Sequence, residues 1–169
     1  MFSATRYLAV FAIAAIAAWS CAAQPRYPYS AESKNFGVNV YAVADKSKFL
    51  SAWAGPTPPR FDFMSTAKVG APFALVLVFW GTTPDPEGNC QVHMDLRIAD
   101  DQGRVIGEGK AIPVCVNHPP PPKGTLGLGD TIVDLAASGK PGKIQIAVTF
   151  TDHVSGDVLS VVLPLPVTQ

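Results

Sequence analysis

The sequence has 169 residues, of which 48% are hydrophobic and 15% are charged. This length suits one domain and is short for two, and the apolar content excludes a largely disordered chain. The 13 basic residues balance the 13 acidic ones without clustering in a stripe. Nucleic acid is therefore not expected as a partner, because phosphate binding depends on clustered Lys and Arg.

Residues 1–23 have the pattern of a signal peptide for export. Arg6 precedes an uncharged, alanine-rich run over 8–19, and small residues at 21–23 provide a cleavage site. The apolar run is shorter than the roughly 20 residues that a membrane-spanning helix needs. The sequence therefore predicts cleavage after Ala23 and a periplasmic or secreted protein, with a retained N-terminal anchor or a buried helix as alternatives.

Cys21 allows a second form of export. A cysteine at the end of such an apolar run can be the lipid-modified residue of a bacterial lipoprotein. Ser20 suits that motif, whereas Trp19 is bulkier than the residue usual there. The alternative localisation is an outer-membrane lipoprotein, and a membrane is expected as a partner only if Cys21 carries the lipid.

Residues 24–60 are predicted to form an N-terminal arm with one short helical segment. A first short strand is expected at 39–44. Asp45 can cap the first amide groups of a helix over 45–53, in which Phe49 and Trp53 fall on one face. Glycine and proline residues over 55–59 end that helical segment.

Residues 61–169 carry a series of strand patterns. The run at 71–80 is apolar on both faces and is expected in the middle of a sheet. Two segments alternate apolar and polar residues as half-buried strands do. Proline residues 164 and 166 favour a sheet edge for the last strand, because proline cannot donate to a ladder. Strands are predicted at 61–65, 71–80, 91–99, 104–116, 132–136, 143–151 and 157–167.

About seven strands separated by turn signals predict an all-β, immunoglobulin-like β-sandwich over 61–169. A jelly roll or a small barrel is the alternative topology.

Short motifs also occur in a fixed order along most of the chain. They are Lys48-Phe49, Ala52-Trp53, Gly70-Ala71-Pro72, Phe79-Trp80-Gly81, Gly88-Asn89-Cys90, Asp101-Gln102-Gly103, Thr125-Leu126-Gly127-Leu128, and Thr151-Asp152 through Gly156. In this order the chain resembles a group of small exported bacterial proteins with an immunoglobulin-like domain. The group has no established activity, so the resemblance implies a fold and a compartment but no functional residues.

Cys90 and Cys115 are the cysteines that remain beyond the predicted signal peptide. They lie on the two arms of a predicted hairpin that turns at 100–103, and an oxidising compartment favours a disulfide between them. The alternative is a metal site, because His93 and His118 complete two C-x-x-H pairs that could hold zinc. Residues three apart on a strand point to opposite faces, which favours the disulfide.

The sequence contains no nucleophile elbow, phosphate loop or zinc-protease motif. Asp152 and His153 could serve a small secreted hydrolase with a nearby serine such as Ser155, although ordinary turn chemistry accounts for their positions. Two carboxylates flanking Pro86 could likewise bind calcium or act as acid and base, and a solvated turn needs neither role.

Trp53, Phe61 and Phe63 could present a surface to a protein or glycan partner, or could pack as core. The sequence thus predicts a non-enzymatic, exported binding or structural module of the bacterial envelope, without a cofactor and with a partner that the sequence does not identify. A secreted hydrolase and a metal-binding protein are the alternative functions.

Overall fold

The computed structural model describes residues 29–55 and 62–169. Within these ranges the chain forms two β-sheets that pack face to face and a single helix, so the predicted all-β sandwich is confirmed. The predicted signal peptide, Cys21 and Phe61 lie outside the described residues. In the same part of the chain, no helix is long and apolar enough to cross a membrane.

The elements are numbered in chain order. They are β1 (Tyr29–Glu32), β2 (Gly37–Val43), α1 (Lys46–Trp53), β3 (Ala67–Lys68), β4 (Pro72–Trp80), β5 (Gln91–Ala99), β6 (Val105–Val116), β7 (Gly127–Leu128), β8 (Val133–Ala136), β9 (Gly142–Asp152) and β10 (Val158–Thr168).

The first sheet is centred on β4, which is buried over most of its length as its continuous apolar sequence predicts. Strand β2 pairs with one side of β4, and β7 and β8 pair with the other side. Strand β1 extends the sheet beyond β2, and all these pairings are antiparallel. The sandwich therefore includes residues that the sequence prediction had placed in the N-terminal arm.

The second sheet has the order β3, β10, β9, β5, β6. Strand β10 pairs with β9 along almost its whole length, whereas β3 reaches it only at Val167 and Thr168. Over the rest of its length β10 is an edge strand that contains Pro164 and Pro166. Proline suits an edge position because it has no N–H group to donate to a neighbouring strand. Side chains alternate between core and solvent along β5, β9 and β10, in agreement with the sequence pattern.

The core lies between the two sheets. It contains buried side chains from both, including Leu77, Phe79, Met94, Phe150 and Leu163. A second, smaller cluster covers the outer face of the first sheet, where Phe49 of α1 packs against Val43, Val76 and neighbouring residues.

Helix α1 begins as the sequence predicts, with the Asp45 side chain accepting a hydrogen bond from the Lys48 amide at 2.8 Å. The strand predicted at 61–65 is absent from its described part, residues 62–65. That segment lies beside the part of β2 that β1 leaves unpaired. The Met64 amide donates to the Ala42 carbonyl at 2.9 Å, and the Phe63 ring stacks on Tyr41 with 4.3 Å between centroids.

Candidate binding groove

Four connections meet at one end of the sandwich, which we call the loop end. They span residues 33–36, 81–90, 117–126 and 153–157, and they join strands that begin or end in register with one another. Loops grouped at one end of a rigid sandwich are a common place for binding sites, because the scaffold fixes their relative positions.

A groove of about 910 Å³ lies between three of these loops. Trp80, the last residue of β4, borders it, with the 33–36 turn on one side and the proline-rich 117–126 loop on the other. We call this hollow the loop-end groove. Its lining is completed by Ser33, Lys34, Asn35, Phe36, Asn39, Gly81, Thr82, Thr83, Pro84, Pro120, Pro121, Lys123, Gly124, Thr125 and Leu126.

The position of Trp80 depends on a glycine in the neighbouring strand. Gly37 pairs with Trp80, and a Cβ atom at Gly37 would collide with the indole ring. The absent side chain leaves room for the indole ring over Gly37, where Trp80 stays half-buried. On the other side of β4, Leu126 precedes β7 and is 54% exposed, so the groove has an aromatic and an aliphatic surface.

Side chains connect the loops of the loop end to one another. The Ser33 hydroxyl donates to the Asp157 carboxylate at 2.7 Å, which joins the 33–36 turn to the 153–157 turn. The buried carboxylate of Asp152 accepts a hydrogen bond from the Thr83 amide at 3.0 Å. These contacts cross between the two sheets and hold three of the four loops in fixed positions.

Cys90 and Cys115 form the predicted disulfide, which is confirmed. Both residues are fully buried, and their Cα atoms are 5.6 Å apart, an ordinary separation for such a bond. Cys90 ends the 81–90 loop, and Cys115 lies in β6 just before the 117–126 loop. The disulfide therefore braces two of the loops at the loop end.

His118 and Asp130 hold the base of the proline-rich loop. His118 Nε2 lies 2.8 Å from Asp130 Oδ1, and its Nδ1 lies 3.0 Å from the Pro119 carbonyl oxygen. The other carboxylate oxygen of Asp130 accepts from the Val116 amide at 3.0 Å. The two ends of the loop are thus joined by a single carboxylate. Hydrogen bonding to Asp130, and then to Pro119, raises the pKa of His118 above its ordinary value.

The His118–Asp130 pair is expected to make stability depend on pH. Folding raises the pKa of His118, so the pair adds to the free energy of unfolding while the imidazole is protonated. This stabilisation is complete below the pKa of the unfolded chain, about 6.5, and disappears as pH rises through the pKa of the folded protein. In urea unfolding, the wild type should therefore have a higher free energy of unfolding than His118→Gln near pH 5.5, and this difference should shrink above neutral pH. Asp130→Asn, the matched control, should give His118 a lower pKa in an NMR titration. A His118 pKa at or below 6.5 in the wild type would contradict this assignment.

The structure brings together three of the four residues of the metal alternative. Ligand atoms of Cys90, Cys115 and His118 lie within 4.8 Å of one another, but the two sulfurs are bonded to each other. The fourth residue, His93, lies outside this group, and its ring contacts that of His153 at 5.2 Å between centroids. The cysteines could act as thiolate ligands only after reduction of the disulfide.

The Asp152 carboxylate binds backbone amide groups of two loops. Besides the Thr83 amide, its carboxylate accepts hydrogen bonds from the amides of Val154 at 2.9 Å and Ser155 at 3.3 Å. Three backbone donors therefore engage the group that a hydrolase would need to orient His153. The His153 side chain is exposed and lies beside His93 on the outer face of the second sheet.

Trp53 and Phe63 lie in the cluster on the outer face of the first sheet. The Trp53 ring packs against Phe49 with 6.1 Å between centroids, and Phe63 stacks on Tyr41. Neither residue lines the loop-end groove. Two aromatic residues do: Phe36, which is buried in the core between the sheets, and Trp80. The sequence prediction placed Trp80 only within a strand and a short motif. The signal that marks it in the sequence is its position at the end of a buried strand, directly before Gly81.

No family model matches this sequence, and a search of curated proteins finds no relative.

Proposed function

We propose that this protein is an exported, non-enzymatic binding module of the bacterial envelope that holds its partner in the loop-end groove. The observation that carries the proposal is a groove bordered by Trp80 and supported by loops that are fixed to one another. Binding to such a site costs little ordering of the protein, because its loops are already held. The Ser33–Asp157 and Asp152–Thr83 contacts hold two of them, and the His118–Asp130 pair holds the third.

Support for export comes from two features of the chain. Residues 1–23 have the signal-peptide pattern, and a disulfide is compatible with an oxidising compartment. We assign the mature protein to the periplasm or the exterior, or to the outer membrane if Cys21 is lipidated. We also assign the sandwich to the immunoglobulin-like type, because two largely antiparallel sheets pack face to face and are connected by loops at their ends.

Support for a non-enzymatic role comes from Asp152. Its carboxylate accepts hydrogen bonds from three backbone amides, which stabilise the turn after β9 and fix the 81–90 loop. This structural role is enough to explain why an aspartate stands at this position. The hydrolase alternative would require that carboxylate to orient His153 instead.

Replacing Trp80 tests the proposal. The probes are a panel of neutral and acidic hexasaccharides and acidic, proline-rich peptides, measured by calorimetry with the full chain. At least one member should bind the wild type, and Trp80→Ala should weaken that binding about tenfold or more, since a central aromatic side chain commonly supplies over 1 kcal/mol. Gly37→Ala keeps the indole but forces it to move, and it should weaken binding as well.

The matched control is Trp53→Phe, a substitution of a half-buried tryptophan remote from the groove. It should leave the affinity within about twofold of the wild type, because it touches none of the lining. Equal effects of Trp80→Ala and Trp53→Phe, or no binding by any probe, would overturn the proposal.

A further inference from the structure

We infer that the occupant of the loop-end groove is an anionic oligosaccharide, an assignment that rests on the proposed function and names its ligand class. Three observations lead to it: the backbone around Trp80 is already paired, the lining combines a ring face with small polar side chains, and its charged residues are lysines.

The strand that carries Trp80 is paired on both sides as far as Phe79, and Trp80 itself is paired on one side. Gly37 of β2 pairs with Trp80 on one side, and Gly127 and Leu128 of β7 pair with the two residues before it on the other. A peptide therefore cannot add to the sheet at this point through main-chain hydrogen bonds, the commonest way in which a sheet binds an extended peptide. Recognition then depends on the side chains and loops that line the groove.

The side chains that are present suit a sugar. The face of an indole ring carries partial negative charge and attracts the C–H groups on the flat side of a pyranose. Asn35 and Asn39 line the groove and offer amide groups to sugar hydroxyls. The Thr125 hydroxyl donates to the Pro122 carbonyl at 2.6 Å, and its oxygen can still accept a hydrogen bond. Pro120 and Pro121 form a rigid wall without N–H donors, which leaves these polar side chains to determine orientation.

The charge of the groove indicates an anion. Lys34 lies in the turn on one side and Lys123 in the loop on the other, and no carboxylate is among the lining residues. Both lysines are exposed, and neither has a carboxylate partner within 4.0 Å in the described part of the chain. Elsewhere in the same part, Lys46, Lys48 and Lys110 each pair with an aspartate.

The opposite end of the sandwich provides a contrast. A hollow of about 590 Å³ there is lined by Asp100 and Asp101 as well as by Arg104, Lys140 and Lys143. Arg104 pairs with Asp100 at 2.7 Å, and the two aspartates offset two of the three positive charges of this hollow, so its attraction for an anion is weaker. Two unpaired ammonium groups on facing walls instead favour a ligand with at least one negative charge along its length, and the attraction should weaken with salt.

The test compares a hexamer of galacturonic acid with its methyl ester, which has the same rings and linkages but no charge. Calorimetry with the full chain should show at least tenfold tighter binding of the acid form at low salt. Lys34→Gln and Lys123→Gln should each weaken it about fivefold, as loss of one charge-assisted contact does. Lys140→Gln, the matched control at the opposite end, should bind as the wild type does.

The other outcomes separate this inference from the proposed function. Equal, Trp80-dependent binding of the ester would overturn the anionic ligand and leave the groove as a binding site. Trp80-dependent binding of an acidic, proline-rich peptide with no saccharide bound would also overturn it. A sulfated hexamer that binds like the acid would show that negative charge, and not the carboxylate itself, is recognised. Absence of binding by every probe would overturn both proposals.

Discussion

Reduction of the Cys90–Cys115 disulfide is expected to lower the free energy of unfolding by about 3 kcal/mol. The two cysteines are 25 residues apart in sequence, and the bond removes the conformations of the unfolded chain in which this segment is open. Because both cysteines lie at the loop end, the same change should loosen the 81–90 and 117–126 loops and weaken binding in the groove.

Urea unfolding with and without reductant measures the loss. The double variant Cys90→Ala with Cys115→Ala should unfold at a lower urea concentration than the oxidised wild type, and reductant should leave its midpoint unchanged. This insensitivity separates the Cys90–Cys115 bond from any effect of Cys21. A wild-type midpoint that does not move with reductant would show that the bond contributes no stability.

Asp152→Ala is expected to destabilise the fold by about 3 kcal/mol. The substitution removes a fully buried carboxylate and leaves the amides of Thr83, Val154 and Ser155 without their acceptor. Asp152→Asn keeps the size of the side chain but has only one acceptor oxygen, so about half of the loss should remain.

His153→Ala is the matched control, since it alters the neighbouring exposed residue of the same turn. Its effect on the free energy of unfolding should stay within about 0.5 kcal/mol. If Asp152→Ala were as well tolerated as His153→Ala, the buried carboxylate would have no structural role, and the hydrolase interpretation of this pair would regain support.

The strands of the second sheet and the disulfide could be predicted because their signals are local. Val92, Met94 and their neighbours alternate with polar residues, and a turn between the cysteines brings them together whatever the rest of the fold does. The helix cap at Asp45 is local as well. Each of these features depends on residues that are close in sequence or joined by one turn.

The groove could not be predicted, because its parts come from distant segments. Gly37, Trp80 and Leu126 become neighbours only when β2 and the β7 segment pair with opposite sides of β4. Asp152 shows the same limit: its sequence predicts a turn, but the hydrogen bond to Thr83 requires the two sheets to be packed. The strand expected at 61–65 failed because packing of Phe63 on Tyr41 outweighs its local pattern.

The indole N–H signals of Trp80 and Trp53 in a ¹⁵N-labelled sample provide the most direct test of binding in the loop-end groove. The full chain would be titrated with the saccharide and peptide panel, and both signals followed. We expect a binding member to shift the Trp80 signal in a saturable manner and to leave the Trp53 signal in place. Binding that shifts Trp53 but not Trp80, or a panel that leaves Trp80 unchanged, would contradict the assignment of the groove.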